Sequence, residues 1–138
     1  MTGVTTILFL CVANSARSQM AEGLARALAP PGYRFLSAGS APGVLNPLAV
    51  AAMREIGIDI SQHRAKGLAG IAFDQVDAIV TLCAEEVCPV VPGRVRRLHW
   101  PLPDPARVSG AEETRLAAFR DTRNRLRELV PELWRASP

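Results

Sequence analysis

Aromatic residues are scarce in this 138-residue chain, with two Trp, one Tyr and four Phe. Too few rings are present to build the stacking platforms that single-stranded nucleic acids need. Lysine is rarer still, Lys66 being the single one among 16 basic residues. The arginines are spread along the chain apart from Arg94, Arg96 and Arg97 and the stretch from Arg120 to Arg127. At a net charge of +3, this suits solvated helix faces and some attraction for anionic substrates better than a nucleic-acid stripe. Three cysteines and two distant histidines, without finger-like spacing, argue against the usual four-ligand zinc site. Long apolar runs are missing too: the longest near the start, residues 4–12, falls far short of the about 20 residues of a membrane span, and no basic leader precedes it. We therefore expect a cytoplasmic protein with no tightly bound cofactor, no metal and neither a nucleic-acid nor a membrane partner.

What is present fits one globular domain over residues 1–138, since 49% of residues are hydrophobic and 21% charged. Residues 5–10 form a nearly continuous apolar run, as in a strand covered on both faces of a parallel sheet. A helix is expected over 16–28, with Met20, Leu24, Ala27 and Leu28 on its apolar face, ended by Pro30, Pro31 and Gly32. A second strand is expected at 34–37. Asn46 reads as an N-cap with Pro47 at the first helical position of a helix running to 56, where Gly57 stops it. A short extended piece at 58–60 and a weak helix at 66–72 follow. Strands at 76–82 and 96–99 complete the sheet, and Ser109 with Glu112 reads as a capping box opening a long amphipathic helix to 134, interrupted near Pro131. The pattern predicts a three-layer α/β/α fold around a four-stranded, mostly parallel sheet.

In such sheets ligands bind beyond the carboxyl ends of the strands. Cys11 ends the first strand, and Arg17 follows six positions later at the start of a helix. A strand-to-helix loop of this kind, Val12, Ala13, Asn14, Ser15, Ala16 and Arg17, can turn its amides toward a tetrahedral anion held at a helix N-terminus. The same surroundings favour a thiolate at Cys11, and the planar fork of Arg17 matches two oxygens of a phosphate-like group. The hydroxyl of Ser18 comes next. Cys83 closes the third strand, and Cys88 lies five positions on. These two thiols can be metal ligands, buried fillers or redox partners, and with a nucleophilic thiolate they allow a relay of disulfide exchanges. Asp104 sits in the proline-stiffened Trp100-Pro-Leu-Pro-Asp104-Pro105, placed either to protonate a leaving oxygen or simply to cap a turn. His63, His99, Trp100 and Trp134 read as structural.

Over nearly its full length the chain resembles the arsenate reductases of the low-molecular-weight protein tyrosine phosphatase fold. The resemblance lies in Cys11-Val-Ala-Asn-Ser-Ala-Arg17-Ser18-Gln-Met-Ala-Glu22-Gly, Ser37-Ala-Gly39, Gly57-Ile-Asp-Ile-Ser61, Thr81-Leu-Cys83, Cys88-Pro89, His99-Trp100 and Asp104-Pro105. It implies that Cys11 attacks arsenate, Arg17 and the loop amides hold its oxygens, Ser18 stabilises the thiolate and Asp104 protonates the departing hydroxide. Cys83 then attacks Cys11 and releases arsenite, and Cys88 takes over Cys83. The resulting Cys83–Cys88 disulfide would be reduced by thioredoxin, or by glutaredoxin with glutathione or by mycothiol, as in related members. Phosphatases of this fold share the loop, but they carry proline where this chain has Gln19 and an aromatic residue where it has Ala106. A phosphatase, or a redox-sensing or oxyanion-binding module without turnover, is the alternative. Members that bind potassium do so with Asn14, Glu22, Ser37 and an aspartate. Here that aspartate's place falls at Lys66, whose ammonium would replace the ion.

Overall fold

The structure, a computed structural model, describes residues 3–84 and 95–135. Four strands form one sheet: β1 (Thr5–Cys11), β2 (Tyr33–Gly39), β3 (Ala78–Thr81) and β4 (Arg96–His99), in the order β2-β1-β3-β4 with every pairing parallel. The α/β fold with a four-stranded sheet is thus as expected. β1 is central, and from Thr6 onward it is buried throughout. Its alternation sorts the core: Ile7 and Phe9 face one side, Leu8 and Leu10 the other.

On the first side lie α1 (Arg17–Leu28), α2 (Pro47–Arg54) and α3 (Glu112–Leu129), which supply Met20, Leu24, Ala49, Met53, Phe119 and Leu126 to one core. Short helix α4 (Glu132–Arg135) adds Leu133. On the second side, among the described residues, the cover comes from two 3-10 turns, Leu68–Gly70 and Phe73–Gln75, whose Leu68 and Phe73 pack on Leu8, Leu10 and Ile79.

Asn46 caps α2 as predicted, its Oδ1 accepting from the Leu48 amide at 2.9 Å with Pro47 in the first turn. Gly57 takes φ +80°, so the stop after α2 is a left-handed turn. Three expectations need correction. Residues 66–72 make only the 3-10 turn at 68–70 plus a bridge from Gly67 to Gly39. The two glycines there weaken a helix that has no second turn to propagate it. The buried part of α1 is its first nine residues on all sides, whereas Leu28 is 48% exposed. The capping box at Ser109 does not form. Gly110 turns the chain at φ +116°, Ala111 is the N-cap, and Glu112 therefore stands at the first helical position instead of the third. Pro131 has the expected effect, separating α3 from α4.

Polar ties fix α2 against α3. Arg123, nearly buried, donates to the Ala52 carbonyl at 2.8 Å and pairs with Glu55 at 2.7 Å, while Arg120 binds Glu55 and Glu113. Hydrogen bonds from Arg120 and Arg123 hold the Glu55 carboxyl down from its ordinary 4.5 to about 2. A carboxylate held low contributes stability above its ordinary pKa and loses it as pH falls toward the lowered one. Glu55→Gln should therefore lower Tm at neutral pH, with the gap to the parent narrowing between pH 4.5 and about 2. Thermal melts across that window check this.

The last residue of β2 sets the distance to the loop after β1. A Cβ on Gly39 would lie 2.3 Å from the Val12 carbonyl oxygen and 2.9 Å from the Asn14 amide, both backbone atoms that cannot rotate away. Gly39→Ala should cost about 1–3 kcal/mol by denaturant melt, and it should slow alkylation of Cys11 by displacing residues 12–14.

Candidate active site

The carboxyl ends of the strands meet at one edge, as open parallel sheets arrange. Cys11 pairs with Gly39 across β1 and β2, and the Leu82 amide donates to Leu10, so Cys11 and Cys83 leave adjacent strands side by side. Both are buried. Cys11 is a free thiol and Cys83 is disulfide-bonded. Cys88 lies outside the described residues.

The loop from Cys11 to Arg17 is held from its outer side. Val12, Ala13 and Ser15 give their carbonyls to the amides of Ala41, Gly43 and Asn46, each at 2.9 Å. The Asn14 carbonyl accepts from Gln19 Nε2 at 3.1 Å. With the carbonyls occupied outside, the amides of Val12, Ala13, Ser15 and Ala16 make no hydrogen bond to described residues. The Asn14 amide turns to Cys11 Sγ at 3.2 Å, and Ser18 Oγ lies 2.9 Å from the same sulfur. Helix α1 begins at Arg17 with no side-chain cap on Ala16, leaving its first amides open to an anion. Among the described residues Asn14 is the one non-glycine residue with positive φ, at 50°, a conformation that asparagine tolerates better than most.

Arg17 joins this loop to the two others. Its Nη1 donates to the carbonyls of Leu82 at 3.2 Å and Leu102 at 2.9 Å, the residues just before Cys83 and just before Pro103-Asp104. Its Nη2 lies 3.8 Å from Asp104 Oδ2. The other oxygen of Asp104 accepts from the Ala106 amide at 3.0 Å, so the carboxyl both caps the 3-10 turn Pro105–Arg107 and faces the guanidinium. Both readings of Asp104 are thus compatible.

A second polar cluster stands behind the loop. Glu22 is buried; it accepts from Ser37 Oγ at 2.5 Å, pairs with Arg26 at 2.7 Å and faces Lys66 Nζ at 3.8 Å. Lys66 Nζ also donates to Ser37 Oγ at 3.3 Å and to the Arg64 carbonyl at 3.0 Å, and the Lys66 amide donates to Asn14 Oδ1 at 2.8 Å. Burial pulls the Lys66 ammonium below the usual lysine range, with the charge of Glu22 opposing. Among the described residues no three of His, Cys, Asp and Glu converge as metal ligands, and no helix is long and apolar enough to cross a membrane.

The structure thus brings Cys11, Asn14, Arg17, Ser18, Cys83 and Asp104 to one edge, with Glu22, Ser37 and Lys66 behind Asn14. His99 lies on β4 against Thr81 Oγ1 at 2.7 Å, and Trp100 and Trp134 pack in the core as expected. Sequence reasoning passed over two contributors. One is the row of amides at Ala41, Gly43 and Asn46, which a Gly- and Pro-containing stretch signals only as a turn. The other is Gln19, whose place beside Ser18 was visible but whose contacts were not.

The family model for low molecular weight phosphotyrosine protein phosphatase matches residues 6–137. The arsenate reductase of Bacillus subtilis strain 168 is 44% identical over 130 residues, covering 90% of this chain and 94% of that one. Among solved structures, an arsenate reductase in the phosphate binding state superposes with a TM-score of 0.81 at 31% identity, covering 94% of this chain and 96% of that one. A thioredoxin-dependent arsenate reductase from Corynebacterium glutamicum gives 0.71 at 29% identity, covering 98% of this chain and 64% of that one. A free cysteine over an open amide cradle, tied through arginine to the strand end that precedes a second cysteine and to an aspartate, is therefore no isolated coincidence: the chain belongs to the low molecular weight phosphotyrosine protein phosphatase family, on its arsenate reductase branch.

Proposed function

We propose that this protein is an enzyme that reduces arsenate to arsenite by a relay of three thiols. The observation that carries this reading is the Arg17 bridge from the Cys11 loop to the strand end bearing Cys83. Arsenate sits on the free amides of Val12, Ala13, Ser15 and Ala16 with two oxygens on Arg17. Cys11 thiolate, hydrogen-bonded by the Asn14 amide and Ser18, attacks arsenic(V). One hydroxide departs as water with a proton from Asp104, leaving a Cys11–arsenic bond. Cys83 thiolate then attacks Cys11 sulfur. The sulfur–arsenic bond breaks, its electron pair stays on arsenic, and arsenite leaves as a Cys11–Cys83 disulfide forms.

Cys88 next attacks Cys83, freeing Cys11 and leaving a Cys83–Cys88 disulfide that an external dithiol reduces. Two thiols supply the two electrons. A free Cys11 alongside a disulfide-bonded Cys83 fits the oxidised end of this cycle. Thioredoxin is the proposed reductant, in keeping with the thioredoxin-dependent relative; glutaredoxin with glutathione, or mycothiol, are the other thiol donors that could serve.

A reductase reading is favoured over phosphotyrosine hydrolysis by the groove of about 460 Å³ beside Asp104. Among the described residues Pro103, Pro105, Val108 and Ala118 line it and no aromatic ring does, so an aryl group entering this groove finds no ring to stack on. Weak phosphate monoester cleavage by the Cys11 loop is a proposed side activity. The Lys66 ammonium lies by Glu22, Ser37 and the Arg64 carbonyl, and Glu22 and Ser37 are two of the residues that the family resemblance assigns to a potassium ion. An ion there would meet a like charge, so the residues do not fit one, and we assign the cation's role to Lys66.

Two measurements test these readings. Cys83→Ser should abolish multiple turnover in a coupled assay of arsenate-dependent NADPH consumption with thioredoxin and its reductase, while arsenate still reacts once with Cys11. Sustained turnover by that variant would refute the relay. Titration with potassium should leave kcat/KM and Tm no different from titration with sodium; a gain specific to potassium would return the cation to the site.

A further inference from the structure

Three of the four loop carbonyls held from outside are held by backbone amides, which survive side-chain substitution. The fourth, that of Asn14, depends on the side chain of Gln19. Gln19 is fully buried in the first turn of α1. Helical side chains lean toward the helix N-terminus, so a first-turn residue reaches back to the loop that precedes it. Its Nε2 lies 3.1 Å from the Asn14 carbonyl, 2.9 Å from Asn14 Oδ1 and 2.8 Å from the Arg64 carbonyl. All three are acceptors, which settles the orientation of the amide.

Gln19 Oε1 therefore faces His63 Nδ1, at 3.0 Å, and the histidine must donate. That N–H is present in the imidazolium and in one neutral tautomer, so the bond persists through the titration of His63. Glu22, Asp59, Arg26 and Lys66 are the charged groups around His63, and burial is the main influence pulling its pKa down.

Asn14 Oδ1 is then shared by Gln19 and the Lys66 amide, which leaves Asn14 Nδ2 directed at Ser18 Oγ, 2.7 Å away. We propose that Gln19 is a positioning residue for the nucleophile: braced by His63 and Arg64, it holds Asn14 in its left-handed turn so that the Asn14 amide and the Ser18 hydroxyl converge on Cys11 Sγ. It touches neither the sulfur nor the site of the anion and acts entirely through Asn14. Methionine at this position keeps the volume but leaves the buried Asn14 carbonyl without its donor, while Asn14 Oδ1 and the Arg64 carbonyl keep only Lys66. The consequence for arsenate turnover rests on the function proposed above; the positioning itself does not.

The test is the pH profile of Cys11 alkylation by iodoacetamide, read by mass spectrometry of the Cys11 peptide in the reduced full-length chain. In Gln19→Met the profile should move to higher pH, with the rate at neutral pH falling roughly tenfold, the effect of about one unit. His63→Ala should move it the same way by less. A purely structural role would lower Tm and leave the profile of the folded protein in place, and that result in Gln19→Met overturns the proposal. Should Gln19→Met fail to fold, His63→Ala, at a half-buried loop position, decides instead: an unmoved profile overturns the proposal, and a shift supports it. Alkylation needs no arsenate, so absence of arsenate turnover in the parent protein would refute the enzyme reading without touching this one.

Discussion

A loop that binds an oxyanion through its backbone has to leave those amides unpaired, and unpaired buried amides are what folding ordinarily eliminates. Here the difficulty is met from the other side of the chain. Every carbonyl from Val12 to Ser15 is taken by a donor outside the loop, so the peptide planes cannot turn over to satisfy themselves. The rest of the architecture follows from supplying those donors. Residues 41–46 must run alongside the loop, which requires β2 to end at Gly39 with no side chain between it and Val12. The helix after them must begin where Asn46 can both cap it and reach Ser15.

Arg17 carries the same logic to the neighbouring strands. By gripping the carbonyls of Leu82 and Leu102 it registers the ends of β3 and β4 against the start of α1. One guanidinium thereby coordinates three loops that are far apart in sequence. Its burial is tolerable because neutral carbonyls and the Asp104 carboxylate surround it. Behind the loop, Lys66 contributes its amide to Asn14 and its ammonium to the buried Glu22, so one residue supports both the cradle and the charge beneath it.

Where function resides in side chains at a strand–loop–helix junction, the chain was readable: Cys11, Arg17 and Ser18 fall where their spacing places them, and the Asn46-Pro47 start of α2 and β4 at Arg96–His99 were correctly located. Where the loop is supported by backbone elsewhere in the chain, it was not. Nothing about Ala41 or Gly43 as residue types announces that their amides hold the site. Ser109 misled because a capping box is a spacing rule, and the left-handed turn at Gly110 shifts the helix start by two residues. Residues 66–72 misled for a related reason: they are shaped by contacts with the sheet and with Asn14, with too little local periodicity to announce a form. Gln19 lay between these cases, a buried polar residue whose meaning depends on three carbonyls from elsewhere.

The outward-facing carbonyls also govern thermodynamics. Since the carbonyl side of the loop is already held without an anion, a guest on the amide side leaves those bonds in place, and its binding free energy adds to the stability of the native state by mass action. Any tetrahedral oxyanion that fits the cradle is thus a folding ligand as well as a candidate substrate. Resistance of the protein to heat and its occupancy by anions are two readings of a single equilibrium.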